Sequence, residues 1–156
     1  TRLVPVLATR LSDLQPEQSH DFAQRAAETL AAIQAADREV AQRLAGLAPR
    51  QVVTFHPSFD YFFRHYGWEV AGTFRDLSGS GAGGARLAHL LTVIRAQQLP
   101  AIFRERTTPA QPVAALARDA GVAVGVLDPL GLAPEIQDYP DLLRRNATSV
   151  AEAYDR

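Results

Sequence analysis

Four times after residue 50, a short apolar run is followed within a few residues by a helical pattern. The runs are 51–55 (QVVTF), 68–74 (WEVAGTF), 101–104 (AIFR) and 122–127 (VAVGVL). Helices are predicted over 57–66, 85–98, 108–120 and 139–154, with stops at Gly67 and Gly121. Parallel strands need such crossovers, and crossovers of this kind are right-handed. The alternation therefore predicts an α/β fold: a four-stranded parallel sheet flanked by helices.

The first third of the chain reads differently. Residues 3–14 predict a short helix, and Gln15-Pro16 opens a much longer one over 17–47. Within it Phe22, Leu30, Ile33, Val40, Leu44 and Leu47 recur on one face. A helix of that length runs about 45 Å, whereas a compact chain of 156 residues has a radius of gyration of only about 15 Å. Such a helix spans or overhangs its own domain. Residues 1–48 are accordingly expected to form a spine, and 49–156 the α/β lobe.

Composition removes several function classes. Hydrophobic residues make up 47% of the chain, enough for a sizeable core. Sixteen basic against seventeen acidic side chains leave a net charge of -1, which speaks against non-specific nucleic-acid binding. Every basic residue is Arg, so chemistry that needs Lys is excluded. There is no Cys, which excludes disulfides, thiolate metal sites and thiol nucleophiles. No apolar run reaches the ~18 residues of a membrane span, and the chain starts at Thr1 without a signal-peptide pattern.

Ligands of open parallel sheets bind outside the carboxyl ends of the strands. Three polar residues are expected there: His56 after the first strand, Glu105 after the third and Asp128 after the fourth. An imidazole and a carboxylate converging on one edge make a pair of zinc or manganese ligands. Two protein ligands do not complete a tetrahedral site. A His after a strand also serves to cap the next helix, and Asp before Pro is a common turn. A rival reading comes from Gly79, Gly81 and Gly84, which satisfy G-x-G-x-x-G before a helix, with Glu105 at the end of the next strand. That pattern belongs after the first strand of a dinucleotide-binding sheet, and here it follows the second. A flexible glycine-rich loop explains it as well. His20, His65 and His89 fall on helices, and no Ser/His/Asp order or H-E-x-x-H appears, so no enzyme is expected.

The segments LQPEQSHDFAQRAAETLAAI and VVTFHPSFDYFFRHYGWEVAG resemble the carboxyl half of cluster A-I substrate-binding proteins of metal ABC transporters. These are the zinc- and manganese-binding proteins of the zinc-uptake type. The family pattern H-x-x-F-x-Y-F-x-x-x-Y-G stands here as His56, Phe59, Tyr61, Phe62, Tyr66 and Gly67. AIFRERTTPAQPVAALARDAGVAV, LDPLG and YPDLLRRNATSVAEAY continue the likeness, which covers essentially all 156 residues. The resemblance implies His56 and Asp128 as metal ligands, with Glu105 behind them. It also implies two further His ligands from an N-terminal lobe not contained in this sequence, a membrane permease as partner, and a periplasmic or extracytoplasmic location. Zinc is the expected ion and manganese the alternative. The sequence departs from the family at GSGAGG, where the usual Glu/Pro/Ser stretch is absent.

Overall fold

The computed structural model describes residues 2–75 and 83–155. Helix α1 covers Leu3–Leu14. Pro16 cannot continue it, having no N–H to donate, and opens a single 3-10 turn over Pro16–Gln18. The long helix α2 then runs Ser19–Ala45, 27 residues or about 40 Å. It is a turn shorter than its periodicity predicts. The apolar face is the expected one, but only its C-terminal half is deeply covered. Val40 and Leu44 are buried, whereas Phe22, Leu30, Ile33 and Leu47 are half-buried. α1 lies along α2 and buries no residue; Leu3, Leu7, Leu11 and Leu14 remain exposed.

The lobe follows as strand β1 (Gln51–Thr54), a 3-10 turn (Pro57–Phe59), helix α3 (Asp60–His65) and strand β2 (Glu69–Thr73). Helix α4 (Gly84–Ala96), strand β3 (Ala101–Glu105), helix α5 (Ala110–Ala120), strand β4 (Ala123–Leu127) and helix α6 (Tyr139–Tyr154) complete it. The sheet is parallel throughout, in the order β2-β1-β3-β4. All four expected strands and the helices between them are present.

Alternation along the strands builds two cores, because successive side chains point to opposite faces. Val52, Ala101 and Phe103 face Val40 and Leu44 of α2, Phe63 of α3 and Val150 of α6. Val53 and Ile102 face Leu90 and Ile94 of α4 and Val113 and Leu116 of α5. Helices thus cover both faces. The chain moves from β1 to β2 in one direction and then back across β1 to β3. Right-handed crossovers consequently place α3 on one face and α4 and α5 on the other. The reversal creates a switch point between β1 and β3, where loops diverge and leave a crevice.

Two glycines are required by this packing. Gly121 ends α5 at φ 74°, a conformation costly for any side chain. Gly125 lets the Phe103 ring lie against β4; a Cβ there would stand 2.3 Å from the ring. No described helix is long and apolar enough to cross a membrane.

Candidate metal centre

The switch point is where two of the three sequence-predicted residues, His56 and Glu105, meet. Thr54 pairs with Phe103 and Glu105 with Leu127, so His56, Glu105 and Asp128 end three adjacent strands on the carboxyl edge. β1 and β4 are separated by two strand spacings, about 10 Å. His56 begins the 3-10 turn in extended conformation, with Pro57 as the first turn residue. Its backbone N–H donates to Glu105 Oε1 at 3.1 Å, and its Nδ1 lies 3.0 Å from Glu105 Oε2. Ser58 Oγ also donates to Oε1 at 3.3 Å. The Phe55 ring stands edge-on to the imidazole at 4.6 Å. The Glu105 side chain is 3% exposed and that of His56 is 35% exposed, so the carboxylate is interior and the ring reaches solvent.

Asp128 is gripped from elsewhere. Its Oδ1 accepts from Leu130 N at 3.1 Å and its Oδ2 from Ala133 N at 2.8 Å, folding the 128–133 loop around the carboxylate. Asn146 on α6 holds its backbone at both ends. Asp128 N donates to Asn146 Oδ1 at 2.7 Å, and Asn146 Nδ2 donates to Asp128 O at 3.0 Å. Ser149 Oγ, one turn on, donates to Val126 O at 2.6 Å. Asn146 and Ser149 were not anticipated from the sequence. The available signal is their type: Asn and Ser weaken a helix interior unless their side chains have other work.

The structure brings His56 and Glu105 into contact and puts Asp128 on the same edge, at the end of the next strand beyond Glu105. Among the described residues no group of three or more His, Cys, Asp or Glu stands ready to hold a metal ion. His65 turns away to Asp37, with Nε2 2.7 Å from Oδ1, and Tyr66 OH donates to the same oxygen at 2.9 Å. Burial and Asp37 together push the Tyr66 hydroxyl well above its ordinary range. His20 and His89 are exposed on α2 and α4. The aromatic residues Phe59, Tyr61, Phe62 and Tyr66 line a cleft of about 820 Å³ between α2, α3 and α6. Tyr61, Phe62, Ser58 and Asp128 border that cleft; His56 is not among the described residues lining it. The reason is geometric: α3 leaves the edge toward the α2–α6 face. Gly79 and Gly81, on which the dinucleotide reading depends, lie outside the described residues.

A 2-1-3-4 parallel sheet with polar residues gathered at its switch point defines a ligand-binding α/β lobe. The family model described as zinc-uptake complex component A, periplasmic (ZnuA), matches residues 1–153. The chain belongs to that family. The zinc-binding protein TroA of Treponema pallidum is 36% identical over 123 residues, covering 78% of this chain and 40% of TroA. The high-affinity zinc uptake system protein ZnuA of Haemophilus ducreyi is 27% identical over 148 residues, covering 94% of this chain and 48% of its own length. A crystal structure of ZnuA superposes with a TM-score of 0.82 at 26% identity, covering 95% of this chain and 53% of that one. The chain spans about half the length of the curated relatives it matches first. The family is one of metal-binding transport proteins and not of enzymes, as the sequence leads one to expect.

Proposed function

We propose that this chain is a metal-capturing lobe of an extracytoplasmic binding protein that delivers zinc to an ABC-type membrane permease. His56 and Asp128 are its ligands, and a second lobe supplies the remaining ones. The observation that carries this reading is the placement of the two residues on one carboxyl edge, at the ends of β1 and β4, with Glu105 at the end of β3 between them. Each is fixed by hydrogen bonds that leave a lone pair free for a metal, on Nε2 of His56 and on the Asp128 carboxylate oxygens. The names of the zinc-binding relatives support the ion, and an imidazole ligand favours Zn²⁺ over the carboxylate-rich sites that suit Mn²⁺. In this reading residues 1–48 are the spine connecting the lobes, consistent with an α2 deeply buried only toward its C-terminal end.

The consequence is a weak site in this chain by itself, because two ligands leave the ion half hydrated. Isothermal titration with ZnCl₂ is expected to give affinity weaker than micromolar, lost in His56→Ala and in Asp128→Ala. Submicromolar one-to-one binding that survives His56→Ala would overturn the assignment.

A further inference from the structure

We infer that Glu105 is the positioning residue of this site: it holds the His56 ring proton on Nδ1 and so presents a bare Nε2 outward. A neutral imidazole carries one proton on either nitrogen, and the hydrogen bond made by one ring nitrogen decides which. Glu105 Oε1 is occupied by two donors, His56 N–H at 3.1 Å and Ser58 Oγ at 3.3 Å. That pins the carboxylate and turns Oε2 onto Nδ1 at 3.0 Å. A carboxylate only accepts, so Nδ1 is the donor.

The support is rigid. Glu105 closes β3 in register with Leu127, and its carbonyl accepts from Thr108 N at 3.1 Å and Thr108 Oγ1 at 2.8 Å. One side chain thus grips residue 56 at both its main chain and its ring, while Phe55 packs edge-on to the imidazole. Nε2 is the ring nitrogen left without a partner among the described residues. Burying a carboxylate is costly, and the His56 ring is the one ionisable side chain paired with Glu105 among the described residues. A cation on Nε2 would place its charge, through the ring, on that carboxylate. The placement of Glu105 stands independently; its bearing on metal capture rests on His56 being a ligand.

Glu105→Gln separates positioning from mere structural support. The Gln carbonyl can still accept from His56 N–H and Ser58, but its amide group then faces Nδ1 as a donor and drives the ring proton to Nε2. The test is a two-bond ¹H–¹⁵N correlation spectrum of the metal-free chain at pH 8, followed by zinc titration. Wild-type His56 is expected to carry its proton on Nδ1. In Glu105→Gln the proton is expected on Nε2, with zinc binding weakened ten- to a hundredfold, as for other residues that orient a metal-bound imidazole. A wild-type ring protonated on Nε2 overturns the inference without recourse to any variant. So does a folded Glu105→Gln chain whose ring keeps its proton on Nδ1. If the tautomer switches but neither chain binds zinc, the ligand assignment of His56 falls while the role of Glu105 in orienting the ring stands.

Discussion

Asp128 and His56 are held by different means, and the difference has consequences for mutation. His56 is oriented by a side chain from the neighbouring strand end, whereas Asp128 is oriented through its backbone by Asn146, a buried helix residue. Asn146 Nδ2 also donates to Leu142 O at 2.9 Å, so both of its N–H donors are engaged. Asn146→Ala would leave the buried N–H and carbonyl of Asp128 without partners, and each unpaired group costs about 1–3 kcal/mol. Urea unfolding should therefore show a loss of at least about 2 kcal/mol, and residual zinc binding should weaken because the 128–133 loop loses its anchor. A variant as stable as wild type would mean that the Asn146 bonds are dispensable. His56 and Asp128 were legible in the sequence because each follows an apolar strand run directly. Asn146 was not, since the bond spans 18 residues and no spacing rule connects a helix residue to a preceding strand end.

α6 ties the sheet to the spine. It packs along α2, and Arg144 pairs with Glu39 across that contact, Nε donating to Oε2 at 2.7 Å. At its far end Tyr154 OH donates to the Gln51 carbonyl of β1, and its ring stacks on Phe103 at 6.2 Å. Asp138 caps the helix start, accepting from Asp141 N at 2.8 Å. Burial raises the Tyr154 hydroxyl above the ordinary tyrosine value near 10. Its contribution to stability is therefore present in full below about pH 10 and is lost as the pH climbs, because the unfolded chain ionises first. Thermal melts between pH 9 and 11 should show a shallower decline for Tyr154→Phe than for wild type, at some cost in stability at pH 7. Identical slopes would contradict the buried, neutral hydroxyl. Tyr66, raised for similar reasons, leaves a residual slope. The strands and helices could be read from apolar runs and 3.6-residue periodicity. The strand order could not, since alternation shows that parallel strands exist but not which neighbours pair. The break at Pro16–Gln18 also shortened the spine relative to its pattern.

Taken whole, the molecule is an α/β/α sandwich whose crossover reversal opens one edge between β1 and β3. The fold therefore explains why Glu105 and Asp128, 49 and 72 positions after His56 in the chain, end on the same edge of the sheet as that residue. The exposed apolar stripe of α1 and the N-terminal half of α2 lie outside that sandwich, and the aromatic cleft is lined from α2, α3 and α6 and not by His56. Pattern reading put His56, Glu105 and Asp128 on the carboxyl edge of the sheet but did not give the course of α3, because the direction in which α3 leaves the sheet is set by the handedness of the crossover. The central claim is that a divalent ion is taken at this edge and not elsewhere on the chain. A zinc titration followed by ¹H–¹⁵N NMR tests it residue by residue. Shifts centred on His56, Glu105 and the 128–133 loop are predicted; shifts confined to His65 and Asp37, or to His20 or His89, would contradict it.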